Sequence, residues 1–154
     1  MKIIIAVKPR DAILHLRHFG YHFKKVVGSP RQLSFSSVVL LELVAGAKDD
    51  SRRKYYVSLA NDYRKDNSLI VPDFDDWLLA GKVLYWLTQG RRRRAGRKAP
   101  RLRPGVAQRM AFDALLAVSA RRWGTTVVTD NWNDFKAIQR YCNLKLIKGS
   151  DFFT

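Results

Sequence analysis

Short β-branched runs alternate along the chain with longer stretches whose apolar residues recur every three or four positions, which predicts strands and helices in turn. Lys2 to Val7 reads as a buried strand stopped by Lys8-Pro9. A helix over Asp11 to Val27 follows, with Asp11 at its N-cap and Ile13, Leu16, Phe19 and Phe23 roughly on one face, interrupted by Gly20. Gly28-Ser29-Pro30 is a turn, and Leu33 to Phe35 is a very short strand running into Ser36 and Ser37. Either serine can cap a helix that begins at Val38 and ends at Gly46.

Asp50 to Asn67 is polar with a Tyr56, Leu59, Tyr63 stripe, as a surface helix requires. Pro72-Asp73 opens a stronger helix carrying Trp77, Ala80, Val83, Leu84 and Leu87 up to Gly90. Arg91 to Gly105, rich in Arg, Gly and Pro, reads as a basic loop. Val106 to Trp123 is a helix with Met110, Ala114, Leu115 and Val118 toward the core, stopped by Gly124. Thr125 to Thr129 is a strand, Asn131 or Asn133 caps one more short helix, and Leu144 to Ile147 is a last strand. The alternation predicts an α/β fold: a three-layer α/β/α sandwich around a central parallel sheet of four to five strands. Ligands of such sheets bind beyond the carboxyl ends of the strands, so chemistry is expected there.

Length narrows the picture to one domain over residues 1–154, because 17.8 kDa with 47% hydrophobic residues supports one sizeable core. Apolar runs such as Ile3 to Val7 fall far short of the ~20 residues that span a bilayer. No transmembrane helix is expected, and the first apolar run ends at Lys8-Pro9-Arg10 before a secretory segment is complete, which predicts a cytoplasmic protein. Cys142 is the single cysteine, which excludes a disulfide framework or a cysteine-based zinc cluster.

Charge changes the picture more. The chain has 29 Lys and Arg against 13 Asp and Glu, a net charge of +16. Arg91, Arg92, Arg93, Arg94, Arg97, Lys98, Arg101, Arg103 and Arg109 follow one another with no acid among them. Such a run is usually a solvated loop, but charge this dense is also suited to a polyphosphate partner, which points toward nucleic acid.

Three carboxylates fall where the architecture brings them together. Glu42 lies about one turn into the helix after the second strand, Asp113 lies in the first half of the helix that enters the Thr125 strand, and Asp134 follows that strand. Singly, Asp113 and Asp134 near helix N-termini are explained by ~0.3–1 kcal/mol of interaction with the helix dipole. Glu42 and Asp113, however, stand in the apolar stretches Val38-Val39-Leu40-Leu41-Glu42-Leu43-Val44 and Ala111-Phe112-Asp113-Ala114-Leu115-Leu116-Ala117, where an ionised acid calls for a counter-charge. A carboxylate cluster with few other ligands suits Mg²⁺ or Mn²⁺.

These stretches resemble the motifs of the PIN-domain ribonucleases, among them the VapC-type toxins. Ser36 to Gly46 is similar to the second acidic motif of that family, and Val71 to Leu87, with Asp76-Trp77 and Ala80-Gly81, to its middle helix. Asp113-Ala114-Leu115-Leu116-Ala117 and Val127-Val128-Thr129-Asp130-Asn131-Trp132-Asn133-Asp134-Phe135 resemble its third and fourth motifs, in the family's order between about Leu33 and Ile147. The resemblance implies Glu42, Asp113 and Asp134 as catalytic, metal-holding acids, with Thr129 and Asn131 as polar members of the pocket. It also implies hydrolysis of RNA phosphodiesters with Mg²⁺ or Mn²⁺, in the toxin component of a type II toxin–antitoxin pair. Expected partners are the RNA, a cognate antitoxin that inserts a basic residue among the acids, and a second copy in a homodimer. The basic residues Arg91, Arg92, Arg93, Arg94, Arg97, Lys98, Arg101 and Arg103 would grip the RNA backbone. The family also places an aspartate at the end of its first strand, whereas Ile5, Ala6 and Val7 stand here and Asp11 is the nearest acid. That departure favours an alternative: a catalytically impaired module of the same fold that binds RNA or a protein.

Other constellations carry less. His15, His18 and His22 lie along one helix face without an acid or cysteine partner and read as a structural face. No nucleophile elbow and no glycine-rich phosphate loop is present, and no helix-turn-helix reader supports a DNA-binding architectural role. Trp77, Tyr85, Trp86, Trp123 and Trp132 can stack on unpaired bases; helical spacing assigns Trp77 to the core, while Trp132 between two asparagines is the better substrate contact.

Overall fold

The computed structural model describes residues 3–6, 33–95 and 104–152. In chain order the elements are β1 (Ile3–Ala6), β2 (Leu33–Ser36), α1 (Ser37–Ala45), α2 (Asp50–Lys65), β3 (Leu69–Ile70), α3 (Phe74–Ala95), α4 (Pro104–Arg122), β4 (Thr126–Thr129), α5 (Trp132–Gln139), β5 (Lys145–Lys148) and α6 (Gly149–Phe152). The helix expected over Asp11 to Val27, with its three histidines, and the turn at Gly28-Ser29-Pro30 lie outside the described residues.

The five strands form one sheet in the order β3-β2-β1-β4-β5, and every pairing is parallel. β1 is central. It runs beside β4 from Ile3 opposite Thr126 to Ala6 opposite Thr129, so these two strands end together. The chain leaves β2 at Ser36 and enters α1 at once, with the Ser36 hydroxyl accepting from Val38 N–H at 3.2 Å. Two consequences for function follow. Glu42 on α1 and the turn after Thr129 rise from the same carboxyl-terminal edge of the sheet. The residue beside Thr129, where β1 ends, is Ala6 and not an acid.

α2 and α4 both end on a residue in the left-handed region. At Asn67 (φ 51°) Ser68 N–H reaches back to Tyr63 O at 2.9 Å, and at Gly124 (φ 63°) Thr125 N–H reaches Ala120 O at 2.9 Å. These paired back-bonds satisfy the last carbonyls and turn the chain directly into β3 and β4. The core is built by Val39 and Leu43 of α1, Ala80, Val83 and Leu87 of α3, Ala114 to Val118 of α4, Val127 of β4, and Phe135 and Ile138 of α5.

Two sequence expectations are corrected. The basic segment is not a loop from Arg91: α3 continues through Ala95 and α4 already begins at Pro104. Arginine is a good helix former, and cations in a last helical turn complement the helix dipole, so a charge run alone does not end a helix. Trp77 is not core but 59% exposed. The buried face of α3 keeps Ala80, Val83 and Leu87 of the expected stripe and takes Asp76 in place of Trp77.

The start of α3 is fastened by a reciprocal cap and an ion pair. Asp76 N–H donates to Asp73 Oδ1 at 2.9 Å, and Asp73 N–H donates to Asp76 Oδ2 at 3.1 Å. Arg122, from the far end of α4, donates to Asp76 Oδ2 from Nε at 2.9 Å and from Nη2 at 2.7 Å, and Nη2 also reaches Val71 O at 3.0 Å. Asp76, which resembles a motif residue by sequence, is therefore a structural acid that ties α3 to α4.

Candidate active site

Three elements deliver the acids. α1 carries Glu42, half-buried beside the core residues Val39 and Leu43. α4 carries Asp113, half-buried immediately before the fully buried run Ala114 to Ala120. α5 carries Asp134 in its first turn, next to the fully buried Phe135. Asp113 feels both of the others. Burial pushes its carboxyl up to about 7, and the negative charges of Asp134 and Glu42 push in the same direction. Burial also raises Glu42. An acid raised to about 7 first by burial, and further by two carboxylates in electrostatic reach, is a group whose ionised form a bound cation would stabilise.

Asn131 moderates that repulsion. Its Nδ2 donates to Asp113 Oδ2 at 2.9 Å, and its backbone N–H donates to Thr129 Oγ1 at 3.0 Å. The sequence offers Asn131 or Asn133 as the cap of α5; Asn131 takes the N-cap position, but its side chain makes no capping bond and turns to Asp113 instead. Thr129, only 2% exposed, is the fixed point at the end of β4 from which this turn is built. The next residue, Asp130, packs its carboxylate against Gly149 at the start of α6, where any Cβ would collide with it.

Asp113 and Asp134 line a cleft of about 620 Å³. One wall is apolar, from Leu87, Met110, Ala137 and Ile138. The remainder combines Trp132 and Asn133 with three cations, Arg91, Lys136 and Arg140. Lys136 and Arg140 were not singled out by sequence; the available signal was their spacing, four and eight residues after Trp132. Trp132 is the first residue of α5 rather than part of a loop. Arg109 adds positive potential that draws the Asp113 carboxyl downward, while its Nε donates to Gly105 O at 3.2 Å.

Of the basic run, Arg91 lines the cleft and Arg93 is exposed on α3. The side chains of Arg92 and Arg94, and all of Arg97, Lys98, Arg101 and Arg103, lie outside the described residues, as does Asp11.

Among the described residues, no three His, Cys, Asp or Glu side chains stand close enough to form a ready-made metal cage. The donor set still fits a hard cation. Mg²⁺ is commonly held by one or two carboxylates, with water and substrate phosphate completing the shell, and not by an all-protein cage. Asp113 with Asp134 is the pair suited to that role, and Glu42 is the third acid in electrostatic reach of Asp113.

No family model matches the chain, and no curated protein matches it. Solved structures do. DNA-bound VapBC from Salmonella typhimurium is similar with a TM-score of 0.59 at 17% identity, covering 97% of this chain and 99% of that one. VapBC2 from Rickettsia felis bound to a promoter DNA fragment gives a TM-score of 0.58 at 19% identity, covering 95% and 98%. FitAB bound to the IR36 DNA fragment gives 0.57 at 11% identity, covering 96% and 94%. Likeness at these identities carries the fold and nothing finer. The motif-based assignment to the PIN-domain ribonucleases, as a VapC-type toxin, therefore does not stand: the similar structures are VapBC and FitAB complexes with DNA, and no family model supports the assignment.

Proposed function

We propose that the chain is a Mg²⁺- or Mn²⁺-dependent endoribonuclease, the nuclease component of a toxin–antitoxin pair. The observation that carries this reading is that half-buried Asp113, within electrostatic reach of Glu42, lines one cleft together with Asp134 and three cations. Negative charge concentrated where a cation belongs, with positive charge beside it where a phosphate backbone belongs, is the arrangement that metal-assisted phosphodiester hydrolysis needs.

A bound divalent cation would supply the Lewis acidity that generates a water nucleophile and offsets phosphoryl charge. The chain's own groups do the rest. Asp113 and Asp134 would hold the cation, Glu42 would orient water from α1, and Asn131 would fix the rotamer of Asp113 through its hydrogen bond. Arg91, Lys136 and Arg140 hold flanking phosphates. The VapBC and FitAB names of the similar structures support the toxin–antitoxin setting. On this reading an antitoxin protein is the partner, and two copies of this chain associate. Phe74, Trp77, Leu78 and Tyr85 leave an exposed apolar row along α3 for such protein contacts.

The direct test is cleavage of a structured RNA with Mn²⁺, with and without EDTA, by the parent chain and by Asp113→Asn. EDTA-sensitive cleavage lost in the variant is expected. Equal cleavage by both would overturn the assignment. A second reading, a catalytically impaired module that binds RNA, is favoured by Ala6 standing beside Thr129 where an acid would complete the site. RNA binding without EDTA-sensitive cleavage would select it.

A further inference from the structure

The RNA-cleaving reading leaves unexplained why a large aromatic ring stands in a cleft whose other members are acids, cations, one asparagine and aliphatic side chains. We infer that Trp132 is a stacking platform for one unpaired nucleobase beside the scissile phosphate, so that the cleft selects single-stranded over duplex RNA. This inference rests on the RNA-cleaving reading of the same cleft.

Position supports it first. Trp132 follows Asn131, whose side chain and backbone are bonded to Asp113 and Thr129, so the ring is anchored one residue from the group that touches Asp113. It lines the same cleft as Asp113 and Asp134. A base stacked there would leave its own phosphate near the carboxylates.

The indole is also electronically prepared. Lys136 Nζ stands 5.3 Å from its ring centroid, and Lys136 is itself held by Gln139 Oε1 at 2.9 Å, while Gln139 Nε2 donates to Leu144 O at 2.7 Å. The ammonium is thus kept against one face of the ring, so a base would stack on the opposite face while the cation is placed beside it to meet a phosphate. Every base has a π-face, so the platform is indifferent to sequence. A base within a duplex already has both faces stacked and must be extruded first, which costs a few kcal/mol by general estimate and disfavours paired substrates.

Binding is read by fluorescence anisotropy in EDTA and in an Asp113→Asn background, so that the RNA stays intact. The probes are an unstructured 12-nucleotide RNA, the same strand annealed to its complement, and a series carrying one abasic residue at each position. Trp132→Ala is expected to weaken the unpaired RNA about tenfold, within the range of base–aromatic stacking, and to leave the duplex within about twofold. Trp132→Phe keeps most of the affinity. The abasic series is expected to show one position of greatest loss with Trp132 present, and no further loss there in Trp132→Ala.

Unchanged affinity of Trp132→Ala for unpaired RNA, while the parent chain cleaves RNA with Mn²⁺, overturns the platform and leaves the nuclease reading intact. A parent chain that neither binds nor cleaves RNA overturns both. Should Trp132→Ala misfold by circular dichroism, the abasic series on the Trp132-containing protein decides: an equal loss at every position rejects the platform.

Discussion

Asn131 holds Asp113. The amide donates to one carboxylate oxygen at 2.9 Å, and among the described residues it is the side chain that lowers the Asp113 pKa through a hydrogen bond. Removing it leaves burial, Asp134 and Glu42 to act with less opposition. Asn131→Ala is therefore expected to raise Asp113 above its value of about 7, and Asn131→Asp, which adds a like charge, to raise it further. A carbon-13 carboxyl titration by NMR reads both. Cleavage at pH 7 should fall about tenfold in either variant, since less of the carboxyl is ionised. An Asp113 titration unmoved by both substitutions would separate Asn131 from the site.

The same displacement sets a pH dependence of stability. Asp113 titrates near 7 in the folded chain and near 3.9 when unfolded, so its proton favours the folded state. That contribution is complete below about pH 4 and is lost as pH rises to about 7. The metal-free melting temperature should decline across this window, with a slope of at most about 1.4 kcal/mol per pH unit from this group. Asp113→Asn should flatten the profile. Mn²⁺ should restore stability at neutral pH, because it binds the ionised cluster, and EDTA should reverse the gain. A parent profile identical to that of Asp113→Asn, with and without metal, would contradict the cluster.

Arg122 supports a prediction independent of chemistry. The Asp76 side chain is 4% exposed and takes both Arg122 Nε and Nη2, so deleting the guanidinium leaves a buried carboxylate short of its counter-charge. Arg122→Ala should cost about 3 kcal/mol of unfolding free energy, and Arg122→Lys should recover only part, since a single ammonium does not reproduce the fork. Chemical denaturation measures both. The double variant Arg122→Met with Asp76→Leu should lose less than Arg122→Ala alone; an equal loss would show that desolvated charge is not the cause.

Much of this arrangement was legible in the residues. The alternation of β-branched runs with helical periodicity located β1, β2, β4, β5 and the long helices, because each element has a period or a cap of its own. β3 was missed since two residues carry no period, and α6 since four do not. Glu42 and Asp113 were conspicuous because each interrupts an apolar stretch. Lys136 and Arg140 were not, because exposed cations on a short helix are ordinary until the fold shows what they face. The Arg91 boundary failed for the opposite reason: repulsion among arginines suggested a loop, and helix propensity with the dipole outweighed it. On α3, Ala80, Val83 and Leu87 lie inside as their spacing predicts, and the departure is local: Trp77 and Asp76 exchange their usual places, the apolar ring outside and the acid inside with Arg122.

Electrostatic binding supplies the last prediction. Arg91, Lys136 and Arg140 reach the cleft from α3, from α5 and from the residue that ends α5, so they sample a bound strand at separate points. Each phosphate contact on a single strand releases counterions worth about 0.7 in the slope of log affinity against log salt. Arg140→Gln and Lys136→Gln should each lower that slope by about this amount, and together by about twice as much, while leaving an Mn²⁺-induced rise in melting temperature unchanged. Acid substitutions should behave in the reverse way: Asp134→Asn should diminish the metal-induced rise and, by removing a repulsive charge, leave metal-free RNA binding equal or tighter. Salt titrations of RNA affinity beside thermal melts with Mn²⁺ separate the two groups. If the cationic variants instead abolished the metal response, or the acid variant the salt slope, the cleft would not divide phosphate binding from cation binding along this line.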